Sequence, residues 1–354
     1  MRVSGRNHSE LFDASLASFD YENIMNVRKR FFLRKSIPYA GTLAIFSVVF
    51  WLIPVSAVIR ALGEVPVSKF LAVFLPFSLL YWVVDSYCLT WVLNRFNAPI
   101  RLRDVLPIRA STYLLSMINT NLGQGGVAWY VHRKTRARLT EVLSSILLIG
   151  VMEIYQLLLF STAGLVVYQP KVARQVVIVH TLRIVYIIAW GLLAVFIGIF
   201  ALARRKENLR FWIEQSKMGR VMATFLAARP RDYALVLAIK SPGFIASLIA
   251  QHFALALYGI GIPFVKLVLF LPLVFLAAAL PIAAAHLGTS QAAWVLLFAG
   301  SAPEAQILAY SLAAHFTFMF CNGLIGLCFL PHASRELTAV QSSEPVPAVA
   351  PVGQ

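Results

Sequence analysis

The sequence predicts an all-α polytopic membrane protein with about six full spans and two re-entrant helical hairpins, arranged as an inverted repeat. Three observations predict it. The 354 residues are 59% hydrophobic and only 13% charged, whereas soluble domains carry about 25% charged and 45–50% apolar residues. Apolar stretches near the length of about 20 residues that spans a bilayer recur along the chain. A short polar motif occurs twice, 165 residues apart. This composition excludes a water-soluble globule and an intrinsically disordered chain.

Residues 1–36 are polar and basic, with Arg28, Lys29, Arg30, Arg34 and Lys35 near their end. They read as a cytoplasmic segment. A signal peptide has an apolar core of about 7–15 residues, whereas Ile37 to Ile59 is 23 residues of mostly apolar chain and a full span. Further apolar stretches follow at 70–93, 142–168, 176–203, 233–260, 264–281, 289–300 and 305–330, five of them long enough to cross. The stretches 264–281 and 289–300 are short and separated by a polar break. A similar short stretch, 105–118, precedes Asn119-Thr120-Asn121-Leu122-Gly123-Gln124-Gly125-Gly126. Short apolar segments broken by Gly and polar residues are expected to dip into the membrane and return, because such backbone survives only inside protein or beside water. Residues 37–330 thus form the membrane domain. Residues 331–354, rich in Pro, Ala, Val and Ser, are expected to be a disordered tail.

Basic residues orient the spans. Of 31 Lys and Arg, 24 fall in 1–36, 94–109, 132–138, 204–231 and the tail. Six more sit near the opposite ends, and Lys240 lies within a span and close enough to its end to snorkel. This split places both termini in the cytoplasm. It makes 105–138 enter and leave from that side and 264–302 from the outer side. The net charge of +16 points to anionic lipid as the partner of the basic loops, and no nucleic-acid partner is expected. The stretch 207–228 interleaves apolar and basic residues at helical spacing, as an amphipathic helix lying on the leaflet does. Cys88, Cys321 and Cys328 provide no disulfide framework or metal cluster, and no cofactor is expected.

The motif L-G-x4-A-W appears at Leu122–Trp129 and at Leu287–Trp294. Each copy follows a short apolar segment and precedes a long apolar helix that starts near a Glu, Glu141 or Glu304. Two related units of opposite orientation are the signature of an inverted-repeat transporter.

At these residues the sequence resembles the lysylphosphatidylglycerol synthase transmembrane region, the flippase-like domain family. The family's first motif is similar to L-G-E-x-x-R with an E-R pair downstream. Here it reads Leu122-Gly123-Gln124-Gly125-Gly126-Val127, then Met152-Glu153-Ile154. The second is similar to P-x-S-x-G-G-L-G-x-x-E, here Pro281 to Gln291, followed by Gly300-Ser301-Ala302-Pro303. Gln124 and Gln291 stand where the family often has Glu, Val127 and Ile154 where it often has Arg, and His286 replaces a Gly. Glu153 is kept. The resemblance covers about 35–330. It implies translocation of a phospholipid or polyprenyl lipid across the inner membrane and no aminoacylation, since only 24 residues follow Leu330.

Ionisable groups inside spans are costly and usually face the bundle interior. Asp85, Glu153 and Lys240 are therefore expected either around a polar cavity for a headgroup or as a structural ion pair, Lys240 with Asp85 or Glu153. The substrate-lining residues expected are Asn119, Asn121, Gly123, Gln124, Gly125, Gly126 and Glu153, with His286, Gly288, Ser290 and Gln291 from the second motif. The glycines would allow close backbone approach and positive φ, and exposed N–H groups would suit phosphate. No catalytic residues are expected, since no acid/base cluster, H-E-x-x-H or nucleophile motif occurs. The alternatives are a lipid-modifying transferase of the membrane, or a scaffold in envelope lipid or polysaccharide assembly. Enzymes of envelope-lipid biosynthesis are the protein partners such readings allow.

Overall fold

The structure, a computed structural model, describes residues 43, 47–169, 173–206, 208, 211, 219, 221–279 and 287–342. The basic segment 1–36, most of 207–220, residues 280–286 with His286, and 343–354 lie outside the described residues. Helices dominate: α1 (Val55–Leu62), α2 (Val67–Phe96), α3 (Leu102–Ile118), α4 (Thr120–Thr135), α5 (Leu139–Val167), α6 (Ala173–Ala203), α7 (Ala223–Ala227), α8 (Pro230–Leu257), α9 (Phe264–Ala279), α10 (Thr289–Leu297) and α11 (Glu304–Ser342). Among the described residues, five helices are long and apolar enough to cross a membrane, at 67–96, 139–167, 177–203, 230–257 and 304–333.

Contacts at the helix ends fix how the bundle is threaded. Arg95, near the end of α2, pairs with Asp232 at the start of α8 at 3.3 Å. Phe70, near the start of α2, packs edge-on against Tyr258, just past α8. The two helices therefore run antiparallel. Helices α3 and α4 form a hairpin closed at its mouth by Lys134 Nζ–Asp104 Oδ1 at 3.1 Å. This mouth lies at the α2 C-terminal end, where the Asn94 side chain holds the Ile100 backbone. Helices α9 and α10 open at the other end, where Lys266 Nζ donates to Ser301 Oγ at 2.7 Å. The order long, short, short, long thus occurs twice, in α2–α5 and α8–α11, at about the 165-residue offset of the motif.

The structure corrects four expectations. The stretch 37–59 is not one straight span: in its described part the helix 47–52 ends before Pro54, and α1 starts afresh beyond it. Proline lacks the N–H and crowds the preceding turn. The tail is helical through Ser342, because Ala333, Arg335, Leu337 and Ala339 are good helix formers that extend an existing helix without a new nucleus. The described end of the 207–228 stretch is not a surface anchor. Thr224 and Phe225 are buried there: the Thr224 N–H donates to Ser144 Oγ at 3.0 Å, and Phe225 packs against Phe196 and Phe200. Finally, 120–126 is no loop. Only Asn119 breaks the helix, with φ −160°, and its Oδ1 accepts from Asn121 N at 2.8 Å as the N-cap of α4. The Gly-rich segment then continues as helix.

Close crossings explain two glycines. At Gly164 of α5, a Cβ would sit 2.5 Å from the Leu269 nitrogen of α9. Beside it the Ser161 hydroxyl donates to the Leu269 carbonyl at 2.5 Å and bonds Tyr186 of α6. At Gly326 of α11, a Cβ would sit 2.9 Å from the Ala110 carbonyl oxygen of α3.

Candidate functional site

The buried apolar residues form two main clusters. One holds Phe70, Phe74, Phe244, Leu157 and Tyr310. The other holds Leu89, Leu93, Met152, Val236 and Phe200. On each of three long helices a charged residue sits between them. Asp85 separates Phe77 from Leu89 on α2, Glu153 separates Met152 from Leu157 on α5, and Lys240 separates Val236 from Phe244 on α8. The charges therefore occupy one layer, midway along the bundle.

Within that layer they touch. Lys240 Nζ donates to Asp85 Oδ1 at 2.9 Å and lies 3.4 Å from Glu153 Oε1. The other Asp85 oxygen accepts from Arg109 Nε on α3 and, more distantly, from the Tyr113 hydroxyl at 3.4 Å. Tyr81 places its ring 5.7 Å from the Lys240 ammonium, and Tyr113 its ring 5.5 Å from the Arg109 guanidinium. Two carboxylates thus face two cations, with aromatic faces against both cations. Exposure divides the group. The side chains of Asp85 and Lys240 are each 4% exposed, whereas that of Glu153 is 42% exposed. Asp85 is locked between two cations. Glu153 is held by one of them and is open on its other side.

The buried, doubly bonded Lys240 corrects the expectation that it snorkels. Arg109 and the two tyrosines were missed. Counted as part of a basic loop, Arg109 in fact follows Ile108 and precedes Ala110 within the apolar stretch 105–118. An arginine inside an apolar run, with a buried Asp elsewhere in the chain, was the available signal.

A model of the lysylphosphatidylglycerol synthase TM region matches residues 39–326. The chain belongs to that family. It is a multi-pass membrane protein of the lysylphosphatidylglycerol synthase transmembrane-region type. No curated protein and no solved structure matched it.

Several other motif positions of this family member have local partners. Gly123 lets α3 and α4 approach: a Cβ there would lie 1.9 Å from Ser116 Oγ and 3.0 Å from the Thr112 carbonyl oxygen. Gly126 packs in the same seam, against Leu115 and Thr112, while Gly125 faces open space. None of the three has positive φ, whereas Gly288 (95°) and Gly300 (76°) of the second motif do. Gln124 is half-buried, and Asn119 and Asn121 are exposed. Asn119 lies ten residues beyond Arg109, about 15 Å along the chain at helical rise. Among the described residues no hydrogen bond or ion pair joins 119–126 to the charged layer.

In the second motif the Gly288 N–H and the Ser290 hydroxyl both donate to Gln291 Oε1, at 2.7 and 3.0 Å. Gln291 therefore closes the first turn of α10 instead of pointing a free carbonyl at a ligand. Its Nε2 and the Thr289 hydroxyl are buried without a partner among the described residues, so this turn keeps donors to spare.

Proposed function

We propose that this chain moves a lipid, a phospholipid or a polyprenyl or glycolipid, across the inner membrane without changing it chemically. Both termini would be cytoplasmic. The observation that carries the reading is the half-exposed Glu153 beside the fully buried Lys240 and Asp85. Ionisable residues at membrane depth mark substrate or ion pathways. A carboxylate open on one side can receive a headgroup ammonium or a proton, while the locked Asp85 keeps the remaining charges balanced. The family is named for a lipid synthase, which supports a lipid as the cargo.

The twofold order of helices supports an inverted repeat, with each short hairpin re-entering from its own side. Alternating exposure of the charged layer would come from rocking of the two halves. Asn119, Asn121, Gly123, Gln124, Gly125 and Gly126 would line the path on one side. His286, Gly288, Ser290 and Gln291 would line it on the other, where the buried amide of Gln291 and hydroxyl of Thr289 supply unused donors.

Reconstitution of the full chain in vesicles tests this. Glu153→Gln keeps the shape and removes the charge. A charged hydrogen bond contributes about 1.5–3 kcal/mol, so transport of a labelled phospholipid is expected to fall about tenfold or more, with unchanged thermal stability. Transport at the wild-type rate would remove Glu153 from the mechanism. Conversion of the lipid to a new product by the purified protein would replace transport by enzymology.

A further inference from the structure

The two hairpin mouths occupy related places at opposite ends of the bundle, and both hold a lysine. At the first, Lys134 faces the Asp104 carboxylate at 3.1 Å and the Tyr130 hydroxyl at 3.1 Å. At the second, Lys266 meets the Ser301 hydroxyl at 2.7 Å and the Phe298 ring at 5.7 Å. Lys266 is the more deeply buried of the two lysines, only 6% exposed, yet no carboxylate pairs with it among the described residues. It also lies in the first turn of α9, where the helix dipole is positive and opposes a cation. Burying an ammonium without a counter-ion is expensive. The counter-charge present at the first mouth has no equivalent at the second among the described residues.

We propose that the Lys266–Ser301 mouth binds a phosphate anion, either the phosphodiester of a membrane lipid or free phosphate. The donors suit it. The ammonium has three N–H groups, of which Ser301 takes one. Because the Ser301 hydroxyl accepts that bond, its own proton is available to the anion. Ser301 is half-buried and Gly300, next to it, is exposed, so the buried ammonium is reached through the α10–α11 turn. The left-handed Gly300, φ 76°, makes that turn. A bound anion would offset both the missing counter-ion and the unfavourable dipole. The site stands apart from the charged layer and does not depend on whether the chain transports lipid.

The test uses the purified, delipidated full chain in neutral detergent. It is titrated by calorimetry with short-chain phosphatidylglycerol, with the matching diacylglycerol, and with inorganic phosphate at constant ionic strength. Wild type is expected to bind phosphatidylglycerol saturably and the diacylglycerol not at all. Lys266→Met should weaken that binding about tenfold or more, Ser301→Ala about fivefold, and Lys266→Arg should retain it. Binding of inorganic phosphate with the same dependence on Lys266 assigns the site to free phosphate, and binding of the lipid alone assigns it to a headgroup. Equal binding by wild type and Lys266→Met overturns the proposal. Should Lys266→Met fail to fold, Ser301→Ala decides: wild-type affinity for both phosphatidylglycerol and phosphate overturns it.

Discussion

Asp85→Ala is expected to destabilise the protein by about 3–5 kcal/mol, the cost of removing one partner from a buried ion pair. The substitution leaves the Arg109 guanidinium and the Lys240 ammonium in the interior with only Glu153 opposite them. Asp85→Asn keeps the volume but not the charge, so it should share most of the loss. The measurement is thermal unfolding of the purified variants in one detergent. Combining Asp85→Asn with Lys240→Met and Arg109→Met removes all three charges and should recover much of the lost stability, because no unpaired cation stays buried. An unchanged unfolding temperature for Asp85→Ala would mean that the charged layer is wet or flexible enough to tolerate free cations.

Gly164→Ala is the second large effect. An alanine normally improves a helix over glycine by up to about 1 kcal/mol. Here the added methyl would meet the Leu269 nitrogen at 2.5 Å and its Cα at 2.6 Å. Both are backbone atoms, which cannot rotate aside. Helices α5 and α9 must separate, and the Ser161 hydroxyl loses the Leu269 carbonyl. Overpacking costs about 1–3 kcal/mol, so a net loss of about 2 kcal/mol is expected. Gly150, on the same helix, has nothing within 4 Å of its missing Cβ. Gly150→Ala should therefore be neutral or slightly stabilising. A matched effect at both positions would show that helix propensity, and not the crossing, sets the cost.

The long helices were legible because an apolar run of bilayer length has few other uses. The two short hairpins were legible from their polar breaks, and their mouths lie at opposite ends of the bundle. What sequence hid was the pairing across helices. Asp85, Glu153 and Lys240 stood out as charges in apolar runs, but which of them met was a question of helix rotation and tilt, quantities that no local pattern encodes. Arg109 was obscured by its neighbours Arg101 and Arg103, which lie outside the apolar run. The segment 120–126 was misread for a different reason. Gly, Asn and Thr signal loops in water, yet here Asn119 caps a helix that runs straight on through the glycines, whose missing side chains serve packing against Ser116 and Thr112. The role of Gln291 as a cap was invisible because a Gln three residues after a Gly has no strong local signature.

Helix α6 stands outside both four-helix groups. It touches α5 through Tyr186 to Ser161 and Trp190 to Thr162 near one end of the bundle, and it reaches α7 through Phe196 and Phe200 near the other. It therefore makes a single traverse between the groups, and parity follows. An odd number of traverses hands the chain to α8 at the end where α2 finished, so α8 runs antiparallel to α2. A connector that doubled back would have set α8 parallel to α2, with both lysine-bearing mouths at one end of the bundle.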